Sequence, residues 1–227
     1  MIYQNIVEGI FIERLNRFIA KVLIENHEEL VHVKNTGRCK ELFIPGAKIF
    51  LEKSSNPSRK TAYSLIGIYK NDVLINIDSQ IPNAVVYEGI VNGKIEELRK
   101  MITLKREVTY GNSRFDLYYE TLTHKGFIEV KGVTLERHGI AMFPDAPTER
   151  GRKHILELMQ ASNEGYTNYL FFLIQMEGVH EFKPNCETDP KFAEALSLAQ
   201  QSEVNVLVFN SKVSMNSIHL YERLLFK

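Results

Sequence analysis

The chain has no tryptophan, only two cysteines and no excess charge of either sign. Cys39 and Cys186 are far apart and lack metal-ligand spacing, which excludes a disulfide framework and fits an intracellular pattern. Lys+Arg and Asp+Glu each number 28 in 227 residues, so no global attraction to nucleic acid or a membrane surface follows. Any polyanion site must be a local basic patch. No apolar run is long enough to span a bilayer, and the start does not read as a signal peptide. The expectation is a cytoplasmic protein with no membrane segment. A Gly-rich phosphate loop is missing, and without tryptophan there is no strong surface for stacking a sugar. Both absences weaken a small-molecule or sugar-phosphate binding role. Internal repeats and low-complexity stretches are also lacking. The length suits one large domain or two small ones.

What is present divides in two. The first third carries short β-branched runs, "GIFIERL", "RFIAKVLI", "ELVHVKN", "AKIFLEK", "YSLIGIY" and "VLINID", separated by turn signals. One turn is "NTG", residues 35–37, where Gly37 would supply a positive φ. Short strands with turns between them point to a small barrel or sandwich over residues 1–82. Residues 83–227 change character. The spacing predicts a helix over 83–100, then strands "LKREVTY", "RFDLYYE" and "GFIEVKGVTL". A helix over 147–165 with Thr148 as N-cap follows, then the strand "YLFFLIQM", apolar enough for burial on both faces. A helix "DPKFAEALSLAQQ" with Pro190 in its first turn and a last strand "VNVLVFN" complete the order. A meander followed by crossover helices implies an α/β mixed sheet with helices on both sides.

Within "FIEVKGVTL", Phe127, Glu129, Lys131 and Val133 share one face of the strand. A carboxylate and an ammonium in an apolar run either form a weak solvated pair or line a cleft. If the strand containing Asp116 pairs with this one, Asp116 and Glu129 approach across the ladder. Two converging carboxylates repel unless a cation lies between them, and oxygen ligands suit Mg²⁺ or Mn²⁺. Lys131 beside them could orient water or hold a phosphate oxygen, the parts of metal-assisted phosphodiester hydrolysis.

An Asp, then Glu-x-Lys on the next strand, resembles the PD-(D/E)XK, restriction-endonuclease-like core, and so does the element order. The resemblance implies Asp116 and Glu129 as metal ligands, Lys131 as the catalytic lysine, the Val130 carbonyl as a further donor and Glu107 as an additional acid. Phe115 stands where that core usually has proline. The segments "NRF", "VKNTGRCKELFIPGAKIFLEKSSNPSRK", "EVTYGNSRFD", "IEVKGVTL" and "FPDAPTERGRKHILEL" are similar to the sugar fermentation stimulation protein family across nearly the whole chain. That resemblance implies an N-terminal OB-like barrel, a C-terminal nuclease-like domain, DNA binding and a link to sugar-metabolism genes in bacteria.

"TERGRKH" sets Arg150, Arg152, Lys153 and His154 at a helix start, where cations oppose the macrodipole and helix stability does not ask for them. Phosphate binding would, because backbone N–H groups converge there. His154 is assigned no metal, and Asp145 is either a turn residue or an aid to the site. In the first domain Arg14, Arg17, Lys34, Arg38, Lys40, Arg59 and Lys60 supply positive charge. Phe11, Phe18 and Phe43 are the aromatics available for stacking a single strand. The primary expectation is a DNA-binding protein with a Mg²⁺-dependent nuclease site. The rival is a non-enzymatic DNA-binding regulator of sugar metabolism with a vestigial site.

Overall fold

The computed structural model describes residues 1–35 and 37–226. Thr36, at the centre of the expected 35–37 turn, lies outside the described residues.

Strands β1 (Ile6–Arg14), β2 (Ile19–Ile24), β3 (His27–Val33), β4 (Lys48–Lys53) and β5 (Tyr63–Lys70) close into a barrel, with β6 (Val73–Asn76) added beside β5. Closure comes from a parallel pairing of β3 with β5, His32 opposite Ser64 and Val33 opposite Leu65. Alternation fills the interior: Ala20, Val22 and Ile24 of β2 point inward, while Ile19, Lys21 and Leu23 are only half-buried. Closing the sheet removes the exposed edges that invite aggregation.

The chain then enters α1 (Pro82–Val91) with proline in the first turn. The predicted helix over 83–100 is shorter than expected. It stops at Val91 because Gly93 takes φ +66°, leaving a single 3₁₀ turn at Glu96–Leu98. Six strands form the second sheet, in the order β15 (Ser217–Leu224), β14 (Asn205–Ser214), β12 (Tyr169–Ile174), β9 (Lys125–Val133), β8 (Ser113–Glu120), β7 (Thr103–Tyr110). The meander β7–β8–β9 is antiparallel, and β9, β12 and β14 run parallel. Every residue of β12 is buried. Leu170, Phe172 and Ile174 enter the core shared with α2 (Glu149–Asn163) and α3 (Pro190–Gln201), and Phe171 and Leu173 the core shared with α1. Helices therefore cover both faces, and each fully buried leucine or isoleucine contributes about 1.5–3 kcal/mol. No described helix is long and apolar enough to cross a membrane.

Two features escape the sequence pattern. A small sheet of β10 (Leu135–Arg137), β11 (Ile140–Phe143) and β13 (Glu181–Pro184) lies between the larger ones. Its strands are three or four residues long, too short for an alternation signal. The last expected strand, ending at 210, continues to Ser214 and turns into β15.

Candidate active site

The site grows from a local fault in the β7–β8 ladder. Pairing is regular at Arg106↔Leu117 and at Val108↔Phe115, but none is made at the level of Glu107 and Asp116. Phe115 packs into one core and Leu117 into the other, so β8 turns over at Asp116. The Asp116 carboxylate crosses to β9, where Oδ2 accepts from the Val130 N–H at 2.8 Å. Asn83, in the first turn of α1, donates to Oδ1 at 2.7 Å.

On β9, Glu129 is 2% exposed. Its Oε1 accepts from the Lys131 ammonium at 2.6 Å and from Nδ1 of the buried His154 on α2. The other ring nitrogen of His154 accepts from Arg150 Nε at 3.4 Å. Thr148 caps α2 as expected, its hydroxyl accepting from the Gly151 N–H at 3.0 Å. That cap sets the phase of the helix that brings His154 to Glu129. By contrast Oε2 of Glu129 is buried and has no hydrogen-bond partner.

The two carboxylates titrate in opposite directions. Burial, then the neighbouring charge of Glu129, pushes Asp116 up to about 6 against the pull of the Val130 N–H, Lys131 and Asn83. Burial alone would raise Glu129 too, but Lys131 and His154 outweigh it and hold the group below its ordinary range. The shared setting thus drives the two carboxylates apart, Glu129 downward and Asp116 upward.

Of the predicted site residues, Asp116, Glu129 and Lys131 come together. Glu107 does not join them: at φ +55° it turns outward, 61% exposed, with Arg114 3.5 Å away. The basic residues separate into engaged and available groups. Arg14 gives its guanidinium to four carbonyls, those of Gly37, Arg38 and Asn35 in the loop after β3 and that of Arg17 in the β1–β2 loop, at 2.7–3.0 Å, and so clamps the two loops together. Lys34 pairs with the buried Asp78 at 2.9 Å, Arg59 donates to Ser64, and Lys153 donates to the Asn112 carbonyl. Arg17, Arg38, Lys40, Lys60 and Arg150 are exposed and Arg152 is half-buried. Asp145 accepts from the Arg38 N–H at 2.9 Å and so ties the barrel to the second domain. A Cβ at Gly37 would stand 2.5 Å from Asp145 Oδ2 and 2.8 Å from Asn35 Oδ1, so those side-chain ends would have to shift.

Sequence reasoning missed Asn83 and the coupling of His154 to Glu129. Neither carries a local signal, because both contacts depend on where a helix docks. Gln175, at the end of β12, was also unmarked. Its amide donates to the Asn76 and Asp78 carbonyls at 3.0 and 3.2 Å and latches the inter-domain connection. A cleft of about 410 Å³ opens between the domains, lined by Arg17 and Asn35 of the first and by Gly132, Thr134, Asp145, Thr148 and Gln175 of the second; Asp116, Glu129 and Lys131 do not line it.

A closed five-stranded barrel joined to a mixed sheet with helices on both faces defines a two-domain OB–α/β protein. A family model described as "SfsA N-terminal OB domain" matches residues 12–77, and one described as "Sugar fermentation stimulation protein RE domain" matches residues 80–217. The chain belongs to the sugar fermentation stimulation protein family. It is 54% identical to the sugar fermentation stimulation protein homolog of Alkaliphilus oremlandii (strain OhILAs), over 98% of this chain and 97% of that one. It is 52% identical to the homolog of Clostridium beijerinckii (strain ATCC 51743 / NCIMB 8052), over 97% and 96%. A solved structure described as Pyrococcus furiosus SfsA in complex with Ca²⁺ superposes with a TM-score of 0.90 at 30% identity, over 99% of this chain and 96% of that one.

Proposed function

We propose that this protein binds DNA and hydrolyses its phosphodiester bonds at the Asp116–Glu129–Lys131 group with a divalent cation, Mg²⁺ or Mn²⁺. The observation that carries the reading is the buried Glu129 Oε2, ionised, without a partner, on the strand next to Asp116. A lone buried carboxylate oxygen is costly, and a hard cation is the ligand that suits it. The Pyrococcus furiosus relative is described in complex with Ca²⁺, itself a hard cation, which supports the reading.

Asp116 and Glu129 would hold the cation, which when bound supplies Lewis acidity and a more acidic water. Asn83 and the Val130 N–H orient Asp116, and His154 orients Glu129. Lys131 keeps a positive charge beside the carboxylates, where an attacking water or a phosphate oxygen would be held. The exposed Arg150 and half-buried Arg152 on the first turn of α2 supply backbone contacts.

A second reading, a DNA-binding regulator of sugar metabolism that does not cut, has its own observation. Lys131, Glu129 and His154 already form a satisfied group around Oε1, as a vestigial site would. Incubating the full protein with DNA and Mg²⁺ or Mn²⁺, beside Lys131→Ala and a chelator control, separates the two. Cutting lost in both controls is expected. Cutting that survives Lys131→Ala or the chelator would refute the hydrolytic reading. No cutting, with salt-sensitive binding intact, would favour the regulator.

A further inference from the structure

We infer that Arg106, held over the ring of Tyr87, grips a backbone phosphate of the bound DNA on the α1 side of the carboxylate group. The inference rests on the reading of that group as the reaction centre and adds a residue that places the substrate across it.

The ladder fault that frees Asp116 also decides where Arg106 stands. Leu104 of β7 packs into the core shared with α1, whereas Val108 and Tyr110 pack into the core shared with α2. An unbroken strand would keep residues 104, 106, 108 and 110 on one face. The turn-over at Glu107, φ +55°, divides them and leaves Arg106 as the last residue of β7 on the α1 side. It lies opposite Leu117, the residue after Asp116. Tyr87 arrives from the helix. It is four residues after Asn83 on α1, one turn along the same face. Asn83 donates to Asp116, and the Arg106 guanidinium stands 4.2 Å from the centre of the Tyr87 ring. One half of the stack is thus a single helical turn from the Asp116–Asn83 contact, and the other is on the strand paired with that of Asp116.

An arginine over an aromatic ring is ordinary by itself. What its N–H groups do separates this one from its counterpart in the first domain. Arg14 stands over Phe43 but gives its N–H groups to four carbonyls. The Arg106 side chain is exposed and makes no hydrogen bond or ion pair among the described residues, and the adjacent Glu107 is paired with Arg114 instead. The ring restrains the side chain while its donors stay open, so little freedom is lost on binding. A planar fork of donors matches a phosphate. The charges that act most on Asp116 are Glu129 and Lys131, so Arg106 is not the neutralising partner of the carboxylates and suits a phosphate beside the reacting one. Arg150 stands on the opposite side, joined to Glu129 through His154. The two arginines bracket the carboxylate group, one at each helix, and a strand held by both crosses Asp116 and Glu129.

The test is binding of fluorescent DNA, duplex and single strand, by the full protein over a range of salt, in chelator so that nothing is cut. Arg106→Ala is expected to weaken binding about fivefold to tenfold near about 0.1 M salt, and to lower the salt slope by about 0.9 on duplex or about 0.7 on a single strand, the loss of one phosphate contact. Lys105→Ala removes the same charge from the next residue, beside Glu120, and should leave the slope unchanged. Tyr87→Leu should weaken binding about threefold, Tyr87→Phe should not, and Tyr87→Leu should add nothing in the Arg106→Ala background, because the ring acts only through the arginine. Wild-type affinity and slope in Arg106→Ala, an equal loss in Lys105→Ala, or additive losses in the double variant would overturn the inference. Absence of any DNA binding by the wild-type protein would overturn it together with the DNA reading. If the protein binds but cuts nothing with Mg²⁺, and the Arg106 effects hold, the hydrolytic reading fails and the phosphate contact stands. If it cuts, Arg106→Ala should raise KM with kcat little changed. Cutting by Arg106→Ala at the wild-type KM would leave hydrolysis in place and overturn the inference.

Discussion

Asp116→Asn should make the cation-free protein more stable, not less. The folded protein raises this carboxyl from 3.8 to about 6, chiefly by burying it and secondarily by placing it beside Glu129. A raised carboxyl binds its proton more tightly folded than unfolded, so the native state loses stability as pH rises from about 4 to about 6. Above that window the loss is complete and corresponds to about 3 kcal/mol. Asparagine keeps the shape, can still accept from the Val130 N–H, and can face a rotated Asn83 amide. The variant should therefore gain up to about 3 kcal/mol near pH 7.5, and little near pH 4, where the wild-type group is already protonated. For a chain of this length that is a rise in Tm of roughly 6 °C or more. Thermal unfolding followed by circular dichroism, in chelator at both pH values, reads it directly. A variant less stable than wild type near pH 7.5, or equally stabilised at both, would refute the claim that Asp116 is held in an unfavourable ionised state.

Three further outcomes follow from the same contacts. His154→Ala leaves the buried Glu129 with Lys131 alone and should cost about 3 kcal/mol, read by urea unfolding; a cost under about 1 kcal/mol would show that the histidine does not hold the carboxylate. Arg14→Ala frees three carbonyls of the loop after β3 and that of Arg17 in the β1–β2 loop, and should lower stability by about 2–4 kcal/mol by the same measurement; unchanged stability would contradict the clamp. Cys39 is buried, its thiol pushed up to about 12 by burial and by Asp145, so iodoacetamide at about pH 8 should modify Cys186 and spare Cys39 in the native protein, as peptide mass spectrometry would show.

The central pair of the candidate site was legible because it is local. Glu129 and Lys131 are two apart on one strand, and the period of a strand places them together without knowledge of the rest of the fold. The helix cap at Thr148 and the fully buried β12 were legible for the same reason. Asp116 was legible once two neighbouring strands were assumed to pair, although the way it reaches β9, by turning β8 over, was not. The roles of Asn83 and His154 depend on helix docking across 33 and 25 residues of sequence. The basic residues show the opposite limit. Sequence marks Arg14 and Arg17 equally, and only the packed loop shows that one clamps carbonyls while the other faces the cleft. Glu107 looked like a strand carboxylate beside Asp116, but the same ladder fault that frees Asp116 turns Glu107 outward.

The measurement that bears most directly on the account is calorimetric titration of Mn²⁺ into the full protein near pH 7.5, beside Asp116→Asn. One ion per chain, with affinity reduced about tenfold or more in the variant, is expected if Asp116 and Glu129 share a cation. No binding heat in the wild-type protein, or the same affinity in the variant, would contradict it.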